Sequence, residues 1–311
     1  MNTQSNAIPD SAVGARAVAP EIMSPMQAFY WSVRRELWEN RSIYLAPFSV
    51  AVIFLFGFLI TLVHLPAKMR GLSTLDPSHY REAIARPYDI AAGLMMLTGI
   101  ILSVFYCADA LHGERRDRSI LFWKSLPVSD FTTVLAKASI PLIVLPLLVF
   151  AVAVVMHLVM SVMSSAVLLA SGFGVATLWE QLSFVRMSLL MGYHILTSHA
   201  IWPAPIYAWL LLVSGWARRA VLLWAVLPIV AISGLEAIAF RTSHFARLVG
   251  SRFIGDAPTV VFAPGDMFPT NPMTHVTLGR FLLSPGFWGG LLVTAVLLAA
   301  AARLRRYRGA I

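Results

Sequence analysis

The chain has 311 residues, of which 58% are hydrophobic and 13% are charged. Soluble domains carry about 25% charged residues, so this composition excludes an ordinary soluble protein and predicts a polytopic membrane protein. Its net charge of +9 comes largely from arginines that flank apolar runs, which membrane topology explains without nucleic-acid binding. The single cysteine, Cys107, excludes an intrachain disulfide and a thiolate metal site.

The N-terminal part of the sequence predicts a tail followed by a surface helix. Residues 1–22 lack the apolar core of a secretory signal, so we expect a disordered tail. The run from Ser24 to Gln27 predicts a helix start with an N-cap serine, a proline at the first helical position and a capping-box glutamine. Apolar residues then recur at helical spacing from Met26 to Leu37, typical of an interfacial helix. The alternative is a cytosolic extension of the first span.

Six apolar runs follow, and each is long enough to cross a hydrocarbon core of ~30 Å. The sequence therefore predicts an all-α polytopic membrane helix bundle of six transmembrane helices within one domain, residues 23–311. The third run stays apolar as far as Ala170. The sequence leaves open whether its helix tilts, ends early or includes a re-entrant piece. The runs lie at about residues 44–65, 90–108, 140–163, 194–216, 220–240 and 285–302.

The distribution of basic residues predicts the orientation of the spans. With the N-terminus inside, fifteen of the 24 lysines and arginines fall in cytoplasmic segments. Cytoplasmic loops carry the excess of basic residues in membrane proteins, so we expect both termini in the cytoplasm. Four basic residues in the first outer loop reduce the difference between the cytoplasmic and outer counts of basic residues.

Two long segments are expected on the outer face. Residues 66–89 are polar and have few secondary-structure signals. Within the second segment, residues 241–284, apolar residues from Phe245 to Phe253 share one stripe and predict a helix in the outer interface. Prolines then interrupt regular structure. The segment is either an outer gate or a connector that caps the bundle.

A charged segment, residues 109–130, separates the second and third apolar runs. It places five charged residues in succession, from Glu114 to Arg118, followed by an apolar stretch through Trp123. Pro127 ends the short amphipathic helix that this pattern predicts. Glu114 and Arg118 are four residues apart, so we expect them to pair on the helix surface. By itself, the charge block is typical of a solvated cytoplasmic loop.

No catalytic motif accompanies this charge block. The sequence has no GxxxxGK[ST] phosphate loop, no HExxH motif and no GxSxG elbow. We therefore expect a non-catalytic membrane subunit, with no cofactor of its own. His194 and His199 are five residues apart and do not form an i, i+4 pair, so we expect no metal site.

Two ionisable residues within the spans are candidates for a substrate path or proton relay. Glu236 lies in the fifth span, where an unpaired charge costs about 2.5–3.5 kcal/mol near the membrane centre. Its alternative role is a helix-end glutamate that pairs with a basic residue such as Arg241. His157 stands alone on an apolar helix, and we favour a structural role over a relay.

The charged segment also carries an ordered motif. Its first feature is an acidic residue at the end of the second span. A run of charged residues follows, and it ends in a small residue and two hydrophobic residues. A leucine-proline pair and then a lysine come next, before the third span. These features are Asp109, Gly113 to Leu121, Ser125 to Ser129, and Lys137. The set resembles the type-2 ATP-binding-cassette (ABC) permease family, the six-span membrane subunits of many bacterial exporters. Ser119 departs mildly from the glycine or threonine often found there.

The resemblance implies that this segment is a coupling helix seated in a groove of a separate ATPase subunit. It implies an exporter of two permease chains, as a homodimer, and two ATPase chains that bind ATP and Mg²⁺, in a bacterial inner membrane. Membrane lipids are the other expected partners. The alternatives are a membrane scaffold or sensor, and a proton-coupled carrier using Glu236 and His157. The expected coupling residues are Glu114, Arg115, Arg116, Asp117, Arg118, Ile120, Leu121, Phe122 and Trp123.

Overall fold

The computed structural model describes residues 24–72, 77–172, 174–176, 179, 183–254 and 278–308, which form helices and no strands. The all-α prediction is therefore confirmed, whereas the predicted N-terminal tail lies outside the described residues. The α-helices are α1 (Pro25–Glu39), α2 (Ser42–Leu62), α3 (Leu65–Leu72), α4 (Pro77–Ala110), α5 (His112–Arg116), α6 (Ser119–Ser125), α7 (Asp130–Ser139), α8 (Leu145–Ala170), α9 (Phe184–His194), α10 (Ala204–Trp216), α11 (Val221–Phe240), α12 (His244–Ile254), α13 (Leu278–Leu283) and α14 (Pro285–Tyr307).

Helix α1 begins as its sequence predicts. The Ser24 hydroxyl accepts a hydrogen bond from the Gln27 backbone N–H, and the Gln27 side chain accepts one from the Ser24 N–H. The buried face of α1 consists of Ala28, Ser32 and Glu36. The apolar stripe of α1 is partly exposed, and this exposed apolar surface suits a membrane interface.

Several long apolar helices indicate a multi-pass membrane protein. Five stretches in the described part of the chain are long and apolar enough to cross a bilayer: Ser42–Leu62, Ile84–Arg116, Asp130–Ala170, Val221–Phe240 and Pro285–Tyr307. A sixth candidate is the pair Phe184–Ile201 and Ala204–Trp216, which bends by 41° at its break. This pair is either one broken span or a re-entrant loop.

Two helices extend further than the sequence indicates. Residues 66–89 have few secondary-structure signals, but α3 forms there and α4 begins at Pro77, where proline suits a first helical turn. The third apolar run is helical from Asp130 to Ala170, 41 residues, so it neither ends early nor turns back. At 1.5 Å per residue it is ~60 Å long and must tilt or project beyond the hydrocarbon core.

Prolines interrupt two of the spans. A π-helical turn, Ile140–Val144, contains Pro141 and joins α7 to α8. A second π-helical segment, Ile195–Ile201, follows α9 and leads into the bend at Pro203. Because proline has no backbone N–H, the helical hydrogen bonds shift register or break at these points.

The bundle is held together where small side chains let helices approach closely. Helix α10 packs between α4 and α14, while α2 packs on α4 and α8. Ala91, Ala153 and Ala301 are completely buried at such contacts. Close packing of small residues drives helix association in lipid, where burial of apolar surface alone gives no advantage.

The two ends of the bundle contain different helices. At one end, α1 packs on α7, and the C-terminal end of α14 lies near α6 and α7. We call this the α6 end. The opposite end, which contains α3 and α12, we call the α12 end. Helix α1, which begins the described part of the chain, and the C-terminal end of α14 therefore lie at the same end of the bundle.

Candidate functional site

The predicted coupling segment folds as two short helices instead of one. Helix α5 ends at Arg116 and α6 begins at Ser119. Arg118 lies between them with φ 59°, in the left-handed region that non-glycine residues seldom adopt. This turn changes the chain direction, so residues four apart across it no longer share a helix face.

Glu114 lies at the centre of a buried charge cluster. Its Oε1 is 3.1 Å from Lys137 Nζ and 3.1 Å from Arg35 Nη2, and its Oε2 is 3.2 Å from Arg305 Nη2. Its side chain is 5% exposed. The predicted pair between Glu114 and Arg118 was wrong, because cations from three other helices occupy both oxygens of the carboxylate.

Glu36 provides a second buried carboxylate beside the first. Its Oε1 lies 2.8 Å from Lys137 Nζ and 2.7 Å from Arg35 Nη2. Its Oε2 accepts a hydrogen bond of 2.7 Å from the Tyr106 hydroxyl on α4. Lys137 therefore bridges Glu36 and Glu114 and joins α1 to α5 through α7.

Arg305, near the end of α14, completes the network. Its guanidinium contacts Glu114 through one nitrogen and Asp130, at the start of α7, through another. Three cations thus face three carboxylates within this group, and a fourth carboxylate, Glu39, lies 3.8 Å from Arg35 at its exposed edge. The charge cluster, as we call it, consists of Arg35, Glu36, Glu114, Asp130, Lys137 and Arg305.

The pKa of Glu36 reflects these neighbours. Burial of the carboxylate would raise its pKa, but the nearby cations Lys137 and Arg35, which also donate hydrogen bonds, outweigh burial and lower it below the ordinary value. Glu36 is therefore ionised at neutral pH, and the cluster is a set of ion pairs. Removing one partner of such a set leaves an unpaired buried charge, which typically costs 3–5 kcal/mol.

Arg115 fixes the segment to a fourth helix. Its Nη1 donates hydrogen bonds to the carbonyl oxygens of Gly215, at 2.8 Å, and Ala217, at 3.2 Å. These carbonyls lie at the C-terminal end of α10, where backbone oxygens lack helical partners and attract cations. The Arg115 side chain is thus directed into the bundle.

Helix α6 is attached by two further contacts. The Arg35 guanidinium lies 4.1 Å from the ring centroid of Trp123, a cation–π contact between α1 and α6. Lys124 Nζ donates a 2.9 Å hydrogen bond to the carbonyl of Arg308, beyond α14. Ile120 is also buried and packs inward.

The remaining predicted coupling residues form an exposed surface. Leu121 and Phe122 are 62% and 60% exposed, although both are large and apolar. Charged side chains from the turn between α5 and α6 lie on the exposed surface beside them. We call this surface the outward face: Arg116, Asp117, Arg118, Leu121 and Phe122.

Local spacing gives no indication of two partners of Glu114, because Arg35 and Arg305 lie 79 and 191 residues away in the chain. The second buried carboxylate, Glu36, also lies outside the charged segment. A signal was present on α1, because Ala28, Ser32 and Glu36 are spaced by four and share a helix face. Two small residues in line with a carboxylate indicate close packing around that carboxylate.

Glu236 lies at the α12 end and holds the start of α12. Its carboxylate accepts hydrogen bonds from the Thr242 hydroxyl at 2.7 Å and from the backbone N–H groups of His244, at 2.7 Å, and Phe245, at 2.8 Å. A carboxylate at a helix N-terminus satisfies unpaired N–H groups and complements the helix dipole. The expected pairing with Arg241 is replaced by these contacts.

His157 is completely buried in α8, against α4. Its Nε2 lies 3.1 Å from the carbonyl oxygen of Tyr88, and the two rings meet edge to face at 5.7 Å. A carbonyl oxygen can only accept, so Nε2 is the donor in this hydrogen bond. This contact joins α8 to α4.

His194 lies immediately before the second π-helical segment and His199 lies within it, where His199 Nδ1 is 3.2 Å from the His194 carbonyl oxygen. Across the described ranges, three or more His, Cys, Asp or Glu side chains nowhere group as metal ligands.

Comparison with protein-family models, with curated proteins and with solved structures gave no match for this chain. The resemblance to type-2 ABC permeases therefore depends on the ordered sequence motif alone.

Proposed function

We propose that this chain is the transmembrane subunit of an ABC exporter and receives mechanical work from a separate ATPase through α6. The observation that carries the proposal is the division of residues 109–130 into two sides. The outward face presents mixed charges and two exposed apolar side chains. The inner side connects the same segment to α1, α7, α10 and α14.

The outward face has the composition of a docking surface. Interfaces obtain most of their binding energy from a few buried aromatic and apolar anchors, and charges around them steer association. Phe122 and Leu121 supply such anchors, with Arg116, Asp117 and Arg118 beside them. The ATPase groove would bury these side chains.

The inner contacts supply a route by which force on α6 reaches the rest of the bundle. A displacement of α6 acts on α1 through Trp123 and on the C-terminal end of α14 through Lys124. Converting the bundle from a mostly inward-open to a mostly outward-open population requires a difference of ~5.5 kcal/mol in binding free energy between the two states. ATP and Mg²⁺ on the partner would supply this energy.

The exposed faces of two spans favour a second permease chain. In the apolar windows of α2 and α11, 22% and 11% of residues are buried, against 44% for the span that contains α4. We propose that two copies meet through α11 and through the exposed face of α2 that carries Phe48, Val52, Phe56 and Leu59, as the resemblance implies. The complete assembly would contain two permease chains and two ATPase chains.

We further propose six spans with both termini in the cytoplasm of a bacterial inner membrane. The bent pair from Phe184 to Trp216 would then be one broken span. The meeting of α1 and the end of α14 at the α6 end supports an even number of crossings. The excess of basic residues in the segments at that end supports its cytoplasmic location.

The decisive experiment measures binding of an ABC ATPase encoded beside this chain to the purified full-length protein. Phe122→Ala should weaken binding by about 30-fold, the effect of removing one ~2 kcal/mol anchor. Phe253→Ala is the matched control, because Phe253 is a partly exposed phenylalanine at the α12 end, beyond reach of a cytosolic partner. Its binding should equal that of the wild type.

Equal ATPase binding by wild type and a Leu121→Ala/Phe122→Ala double variant would overturn the proposed docking surface. Transport by the chain alone under a proton gradient would instead favour a carrier. The stable binding of another membrane protein, with no ATPase and no transport, would favour a scaffold or sensor.

A further inference from the structure

A groove of about 870 Å³ runs between α2 and α4 and ends at α3, at the α12 end of the bundle. Its size lies within the range of ligand-binding pockets. Most of its wall is apolar. The residues that line it are Val50, Ile53, Phe54, Gly57, Phe58, Thr61, Leu62, His64, Leu65, Lys68, Arg86, Pro87, Ile90 and Leu94.

The groove has the length of one membrane leaflet. Along α2 it extends from Val50 to Thr61, which at 1.5 Å per residue is roughly 16 Å. Half of a hydrocarbon core of ~30 Å is ~15 Å. An occupant that fills the apolar part would therefore reach from one membrane surface to about the bilayer midplane, as one acyl chain does.

The polar end of the groove is basic. Lys68 on α3 and Arg86 on α4 line it from two different helices, and His64 lies beside them. Both Lys68 and Arg86 are exposed side chains. Among the described residues that form the groove, none is acidic. Basic pockets between membrane helices attract anionic lipid head groups.

The wall also leaves room beside α2. A Cβ atom placed on Gly57 would meet no atom within 4 Å, while neighbouring Ile53 is 70% exposed. In a bilayer, such space on a lipid-facing helix is filled by hydrocarbon. A glycine at this position keeps the groove open where a larger side chain would close it.

We propose that this groove binds one anionic phospholipid of the adjacent leaflet, with an acyl chain between α2 and α4 and its phosphate at Lys68 and Arg86. A second copy of this chain suits the groove less well. A two-fold symmetric contact would bring the same basic residues of both copies toward one another. A lipid phosphate offers oxygen atoms that can accept hydrogen bonds from both side chains. This inference does not depend on the proposed exporter function.

The test is native mass spectrometry of the full-length chain, extracted from vesicles of equal phosphatidylcholine and phosphatidylglycerol. The wild type should retain phosphatidylglycerol in preference to phosphatidylcholine. Lys68→Gln/Arg86→Gln should reduce that preference by about 30-fold, since each basic residue near an anionic lipid contributes roughly a factor of five. Arg241→Gln/Arg247→Gln, also at the α12 end but outside the groove, should leave it unchanged.

A second pair of variants tests the apolar part without changing charge. Gly57→Phe should fill the groove and abolish the retained phosphatidylglycerol. Gly234→Phe makes the same change at another glycine with open space, on α11, and should retain the lipid. If Gly57→Phe keeps the wild-type lipid, the groove is not the site. If Gly57→Phe converts a dimer to a monomer that still binds the lipid, the occupant is a second copy and the proposal fails.

Discussion

Lys137 Nζ lies 2.8 Å from Oε1 of Glu36, and the two side chains are 2% and 1% exposed. A buried lysine needs more than one acceptor, and Glu114 supplies the second. The lysine thereby joins the surface helix α1 to the segment that bears the outward face.

Replacing Lys137 by methionine should lower the free energy of unfolding by about 3–5 kcal/mol, because two buried carboxylates lose their shared cation. Denaturant unfolding in detergent micelles measures the change. Adding Glu36→Gln should restore part of the loss, since one of the stranded charges is removed. Lys124→Met, at an exposed lysine of the same end, should have a smaller effect. Wild-type stability of Lys137→Met would contradict the assigned contacts.

The stability of the fold should depend on pH through Glu36. Its pKa is lowered in the folded chain from an ordinary value of 4.5, so its ionised form stabilises the fold above that pH. The stability advantage of wild type over Glu36→Gln should therefore shrink as the pH falls below 4.5. Thermal unfolding of both proteins across this range gives the difference. An advantage that stays constant in acid would argue against ion pairing at Glu36.

Arg305 should not be replaceable by lysine. Its planar guanidinium contacts Glu114 and Asp130 through separate nitrogens, a fork that an ammonium group does not reproduce. Arg305→Ala should destabilise the fold by about 3 kcal/mol or more, and Arg305→Lys should recover only part of that loss. Arg303→Ala provides a control on the same helix, where the side chain is exposed. Equal stability of Arg305→Lys and wild type would show that the two separate guanidinium contacts, to Glu114 and to Asp130, are not needed.

Gly290 should control how α12 sits on the bundle. A Cβ atom at Gly290 would lie 2.7 Å from Arg252 Nη1, whereas one at Gly289 would meet nothing within 4 Å. Arg252 also donates hydrogen bonds to the carbonyls of Trp202 and Gly286, so moving it loosens α12. Gly290→Ala should increase hydrogen exchange across α12, and Gly289→Ala should not. Unchanged exchange in Gly290→Ala would show that Arg252 does not hold this helix.

The sequence established the local features for which neighbouring residues are sufficient. The start of α1 at Ser24 followed from a capping box within four residues, and the confirmed hydrogen bonds lie within the same turn. The apolar runs likewise predicted long helices, because the length needed to cross a bilayer is a property of each run alone. The charge block after Asp109 could be recognised for the same reason.

The tertiary structure decided which of those charges are buried. Glu114 and Arg118 suggested a surface pair by their spacing, but the turn at Arg118 separated them and gave Glu114 partners from α1, α7 and α14. Those partners are up to 191 residues away in the chain. Sequence spacing describes contacts within one helix, whereas the burial of a charge depends on which other helices approach it. The sequence could therefore identify the segment, and only the packed bundle could separate its inner contacts from its outward face.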